Sequence, residues 1–135
     1  MRTQGEKMML NRTILLFLLL LFPACSAANA QIRLQQHTQL RAALDGDDAR
    51  MAESLLREMM RTSPDAFARN NYDYLLARIL MQRDATGEAS QFLQSVVARN
   101  SVLAGYALCH QAELARTAGN AKEEQRLLQK FLAQY

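Results

Sequence analysis

The chain has 135 residues, 50% hydrophobic and 21% charged, with only 5 Gly and 2 Pro; that balance fits one folded domain and excludes a disordered or collagen-like chain. Leu, Ala, Gln, Arg and Glu outnumber Val, Ile and Thr, which favours helix over sheet because straight-chain residues lose little rotamer freedom in a helix. The formal charge of +3 falls to 13 basic against 12 acidic residues once residues 1–30 are set aside, so no basic block supports nucleic-acid binding.

Residues 1–30 have the order of a cleaved secretory signal. Lys7 and Arg12 precede the apolar stretch Thr13 to Phe22, Pro23 breaks it, and Ala24-Cys25-Ser26-Ala27-Ala28-Asn29-Ala30 follows. Ala28 and Ala30 stand where a signal peptidase accepts small side chains, which predicts cleavage between Ala30 and Gln31. A spanning helix needs roughly 20 apolar residues, so membrane association is expected only in transit. Cys25 supports a competing reading, lipidation after Phe22-Pro23-Ala24, which would keep the chain anchored. Both readings place it in the bacterial periplasm or outside the cell.

From Gln31 the apolar spacing predicts six helices. The first, about 31–44, carries Leu34, Leu40, Ala43 and Leu44. It stops at Asp45-Gly46-Asp47-Asp48, where Gly46 suits the left-handed C-cap and an Asp can cap the next helix. The second, about 48–60, has Met51, Ala52, Leu55, Leu56 and Met59 on one side and Arg50, Glu53, Arg57 and Arg61 on the other. Ser63-Pro64 then reads as an N-cap and first helical residue, opening the longest helix, about 64–83. After the Asp84–Gly87 break comes a fourth helix, about 86–99. The fifth, about 101–118, carries Leu103, Ala107, Leu108, Ala112, Leu114 and Ala115. Gly119 ends it, and Asn120 with Glu123 forms a capping-box pattern opening the sixth, whose apolar set is Leu127, Leu128, Phe131 and Leu132.

Two helices per unit and breaks at Gly46, Asp84–Gly87 and Gly119, about 35–40 residues apart, predict an all-α right-handed solenoid of three antiparallel hairpins, at about 31–62, 63–100 and 101–135. Leu76, Ala77, Leu80 and Ala89 in the middle unit, and Leu108, Ala112, Gly119 and Leu128 in the third, make the chain resemble the tetratricopeptide-repeat family. The first unit matches mainly at Gly46-Asp47 and Leu55, with Met51 where a small residue is expected; Gln111 and Glu124 also depart from the pattern. The stretch Asn70-Asn71-Tyr72-Asp73-Tyr74-Leu75-Leu76-Ala77-Arg78 is similar, more narrowly, to the N-terminal repeat region of bacterial soluble lytic transglycosylases. That family's catalytic Glu-Ser pair with the Gly-rich segment that follows it has no counterpart here, because no glycine lies between Gly46 and Gly87, so the resemblance carries no activity onto any residue. It does imply an alternative reading, the superhelical arm of a peptidoglycan-cleaving enzyme. The apolar set of the sixth helix would leave edges at the end of the stack. The expectation is therefore continuation beyond residue 135 or end-to-end pairing.

What the repeat resemblance implies is a concave face lined by the first helix of each hairpin. Its register places Arg33, Gln36 and Leu40, then Asn71, Tyr74, Arg78 and Met81, then Tyr106, Cys109, Glu113 and Arg116 on that face. Arg, Asn and Tyr on a groove suit a protein, peptide or glycan-strand partner. No phosphate-cradling glycine loop or metal spacing is legible, so no metal or cofactor is expected. Asp45, Asp47 and Asp48 read as capping residues rather than a calcium loop. Cys109, the only cysteine of 31–135, cannot form an internal disulfide. His110 beside it points about 100° away on a helix and is a poor base for it. The expected function is an exported, non-catalytic module for interaction or scaffolding.

Overall fold

The computed structural model describes residues 31, 32 and 34–135. The signal segment, with Cys25 and Ala30, and the groove candidate Arg33 lie outside the described residues. Among the described residues all regular structure is helical: α1 over 34–45, α2 Ala49–Thr62, α3 Pro64–Arg69, α4 Tyr72–Gln82, α5 Thr86–Ala98, α6 Ala104–Thr117 and α7 Ala121–Gln134. The all-α expectation holds. No helix among them is long and apolar enough to cross a membrane. The chain divides into one unit ending at Ala42 and a second running from Ala43 to Tyr135. In the first, Gln31 is exposed and helical, and the Thr38 hydroxyl donates to the Leu34 carbonyl at 2.9 Å.

In the second unit four helix ends, those of α1, α4, α5 and α6, share one recurring device. Asp47, Asp84, Asn100 and Gly119 take left-handed φ values of 55°, 58°, 51° and 70°. Each donates its N–H to the carbonyl three residues back, and the next residue donates to the carbonyl five back. The longer bonds are Asp48 to Ala43 (2.8 Å), Ala85 to Leu80 (2.9 Å), Ser101 to Val96 (3.3 Å) and Asn120 to Ala115 (2.8 Å). This is the paired-bond Schellman closure, which satisfies carbonyls that a helix end leaves orphaned. The left-handed residue of the first turn is therefore Asp47, not Gly46 as the sequence suggests. Asp tolerates this conformation through its short polar side chain. Aligning the turns on Asp47 and Asp84 brings Ala52 opposite Ala89, both fully buried, whereas Met51 is half exposed.

Two caps behave as expected. Asp48 Oδ1 accepts the Met51 N–H at 2.9 Å, and Asn120 Oδ1 accepts the Glu123 N–H at 3.2 Å. The box is only half formed, because the Glu123 carboxylate turns to Arg126 (2.6 and 2.7 Å). Arg126 holds that carboxyl below its usual range. Ser63 is the N-cap with Pro64 at the first position, but its side chain makes no capping bond; instead its N–H closes α2 onto Met59 (2.9 Å). Ser101 closes a turn, and α6 begins three residues later than expected.

The single long helix expected over 64–83 is two. Asn71, at φ 56°, breaks it into α3 and α4, so the central 63–100 segment contains three helices rather than a hairpin pair. Tertiary polar contacts hold the break. Arg99, just past α5, donates through Nη2 to the Ala68 carbonyl at 3.0 Å and through both Nη atoms to the Asp73 carboxylate. Asp73 also accepts the Tyr74 N–H at 2.9 Å and is only 4% exposed. The Ser101 hydroxyl donates to Asn71 Oδ1 and accepts the Leu103 N–H (3.2 Å). Phe67 and Tyr72 meet edge to face across the break, with centroids 6.1 Å apart, and burial pushes the Tyr72 phenol up.

The apolar core runs through sequential neighbours. α4 packs on α5, α5 on α6 and α6 on α7. Ala77, Leu93, Val96 and Ala107 form one buried cluster, and Leu108, Ala112, Ala115 and Leu127 the next. The alanines on facing helices let the backbones approach closely. At the last contact Gly105, near the start of α6, lies against the stacked rings of Phe131 and Tyr135, so α6 and α7 run antiparallel. Leu128 and Leu132 remain 40% and 77% exposed, the apolar edge the sequence suggests.

On another face, Arg57 of α2 links Glu53 (2.9 Å) to Glu88 of α5 (2.7 and 2.8 Å), and Arg83 also pairs with Glu53. Glu88 and Glu53 raise Arg57 further above its already basic range, and Arg57 lowers Glu88.

Two outcomes follow from these contacts. Asp73→Ala leaves Arg99 half-sheltered and unpaired, and should cost about 2–3 kcal/mol, below the usual 3–5 because the guanidinium retains some water. Chemical denaturation measures this, and a double-mutant cycle with Arg99→Met should return a coupling near that size; a coupling of zero would remove the pair from its role at the break. Because the folded chain holds Glu88 below its unfolded pKa, the pair's contribution is present above the ordinary carboxylate range and fades as pH falls through the lowered value. Glu88→Gln should therefore flatten the acid limb of the stability–pH profile, and an unchanged limb would contradict the Arg57 linkage.

Candidate functional site

Of the eleven residues that the repeat register puts on the groove, eight carry Arg, Gln, Asn, Tyr or Glu side chains as binding candidates; of these, Arg33 is outside the described residues and Gln36 lies half-buried on α1 in the first unit. The other six are in the second unit. Asn71 is committed to the α3–α4 break, its side-chain oxygen taken by Ser101. Tyr106, Glu113 and Arg116 fall along the exposed side of α6, with Cys109 between them, also exposed. Tyr106 presents its ring largely to solvent, at 64% exposure.

Tyr74 and Arg78 stand one turn apart on α4, and the fold brings them to Glu113 through a residue that the register did not select. His110 Nε2 lies 2.9 Å from an Arg78 Nη1 and 3.1 Å from the Tyr74 hydroxyl, and its Nδ1 lies 3.1 Å from a Glu113 Oε2. The Tyr74 and His110 rings are tilted at 43° with centroids 5.8 Å apart. Arg can only donate, so Nε2 is the acceptor and the imidazole proton sits on Nδ1, where it donates to Glu113. The result is a directional chain, Arg78 to His110 to Glu113, with the Tyr74 hydroxyl 3.1 Å from the same nitrogen. It ties α4 to α6 and fixes the guanidinium of an otherwise exposed Arg78. His110 is thereby occupied on both ring nitrogens and is turned to α4, not to Cys109.

The signal that could have revealed His110 is its spacing. It sits one residue after Cys109 and three before Glu113, hence between two selected positions on the same side of α6.

A cleft of about 400 Å³ borders Tyr74 and Arg78, lined also by Leu75, Ile79 and Gln82 of α4 and by Ala43, Leu44, Asp47, Asp48 and Ala49. A second, of about 490 Å³, lies over α6 between α5 and α7 and includes Gln94, Gln111, Glu123 and Lys130. Among the described residues no group of three or more His, Cys, Asp and Glu could hold a metal ion. Comparisons with family models, with curated proteins and with solved structures return no match.

The tautomer is directly measurable. At a pH where the ring is neutral, the side-chain ¹⁵N spectrum should show His110 protonated at Nδ1, the reverse of the usual free-imidazole preference. Arg78→Ala should shift the ring back toward the Nε2–H form; an Nε2–H form in the unaltered protein would contradict the Arg78 bond.

Proposed function

We propose that this chain is an exported, non-catalytic helical-repeat module that binds a protein or peptide partner, as an interaction or scaffolding element of the bacterial cell envelope. In this reading the helices form a tetratricopeptide-like solenoid, and the partner lies along the face carrying Tyr74, Arg78, Tyr106, Glu113 and Arg116. The observation that carries it is the Tyr74–Arg78–His110–Glu113 cluster. Four polar side chains from two helices are ordered against one another, three of them (Tyr74, Arg78 and Glu113) groove candidates by the repeat resemblance, and two of the four remain largely exposed. Such pre-ordering lowers the entropy lost when a partner docks. The recurrence of Schellman turns at Asp47, Asp84 and Gly119, about 35 residues apart, supports the repeat architecture. The apolar stretch before Pro23 and the small residues up to Ala30 support export.

The experiment compares the unaltered protein with the double variant Tyr74→Ala/Arg78→Ala, each immobilised and exposed to envelope extract. Capture of a partner should fall by about tenfold or more, as removal of two central polar anchors does at an interface, while the thermal midpoint stays within a few degrees. Equal capture by both proteins would overturn the groove assignment.

A further inference from the structure

The cleft between the α1–α2 turn and α4 carries charges of both signs that the fold leaves uncompensated. Arg57, Arg61, Arg83, Arg99 and Arg126 all pair with carboxylates. Arg78 instead donates to the imidazole of His110. Among the described residues, neither Asp47 nor Asp48 forms an ion pair with Arg78, although all three line one cleft. Asp48 spends one carboxylate oxygen on the Met51 N–H, and Asp47 sits exposed at the left-handed turn position. The same cleft is lined by apolar side chains, Leu44 part-exposed and Leu75 half-buried among them.

From this arrangement we propose that the cleft selects a peptide segment carrying a basic side chain and an acidic side chain on either side of an apolar one. The ammonium or guanidinium meets Asp47 and Asp48, the apolar side chain covers Leu44 and Leu75, and the carboxylate meets Arg78 and the Tyr74 hydroxyl edge. The volume, about 400 Å³, is at the small end of ligand clefts and admits two or three side chains rather than a folded surface. A segment of uniform acidity is repelled by the two aspartates and one of uniform basicity by Arg78, so discrimination comes from like-charge opposition as much as from attraction. His110 is a positioning residue: its bond to Arg78 Nη1 holds the guanidinium in place for an incoming carboxylate.

This inference rests on the groove reading above, and its test separates the two. Four fluorescein-labelled peptides of one length, differing only in a central Lys-Leu-Glu, Lys-Leu-Lys, Glu-Leu-Glu or Gln-Leu-Gln, with Lys-Leu-Gln and Gln-Leu-Glu as single-charge controls, are titrated with the full protein at low salt and followed by anisotropy. The mixed-charge peptide should bind about tenfold more tightly than the other three, a difference of about 1.4 kcal/mol. Arg78→Gln should abolish the advantage over a Lys-Leu-Gln peptide, and Asp47→Asn/Asp48→Asn the advantage over Gln-Leu-Glu. Both Asn replacements keep the turn and the cap, because Asn tolerates the left-handed conformation and caps as well as Asp. His110→Phe should weaken the Lys-Leu-Glu peptide while leaving Lys-Leu-Gln unchanged. Four equal affinities, or a mixed-charge advantage that survives both charge removals, overturns the assignment. If capture still depends on Tyr74 and Arg78 in that event, the ligand class alone is wrong.

Discussion

The buried carboxylate of Asp73 is the constraint around which the second unit is arranged. A carboxylate at 4% exposure is expensive to desolvate, and the fold meets that cost with two Arg99 N–H groups and the Tyr74 backbone N–H. Arg99 can reach it only if the chain turns back just after α5 and the α3–α4 break lies beside that turn. The same guanidinium takes the Ala68 carbonyl that the interrupted helix exposes. One side chain thus answers both the buried charge and the broken backbone ladder. The direction in which α4 leaves the break, and hence the heading of Tyr74 and Arg78, follows from this junction.

The difference between what was legible in the sequence and what was not lies in the range of the interactions. Helix periods, Pro64 at a first turn, and the caps at Asp48 and Asn120 are local, and their residue types announce them. The break at Asn71 is not local. Apolar residues on both sides keep helical spacing, and nothing near Asn71 requires a left-handed residue until Arg99 and Ser101, about thirty residues on, supply the partners. Asp47 and Asp84 show a milder form of the same limit. Glycine is the usual signal for a left-handed C-cap, and Gly46 and Gly87 stand close enough to draw attention, yet the hydrogen-bond pattern places aspartates at the turning points.

The candidate site divides in the same way. Tyr74 and Arg78 share a side of α4 by helix period, whereas Glu113 is put on the same face only by the register of the repeat resemblance. Their meeting through His110 depends on how far α4 stands from α6, a quantity no spacing within one helix encodes. Judged only against its neighbour Cys109, His110 had no role. Across the helix interface it orders a cation on one side and an anion on the other.

That interhelical distance is itself set by small residues. Ala77 and Ala107 belong to one fully buried cluster, and Ala89, Ala104 and Ala112 are buried nearby. An alanine has no rotamer to relax and little volume to lose, so such a seam is largely indifferent to truncation and sensitive to growth. One added branch at Ala77 or Ala107 must push the helices apart, at about 1–3 kcal/mol. The shift would also be transmitted undamped to the histidine–arginine bond on the surface. The tolerance of this chain to sequence drift should therefore be lopsided. Its face can diversify freely while the seam beneath it is confined to the smallest side chains, so the surface can change on a spacing that does not.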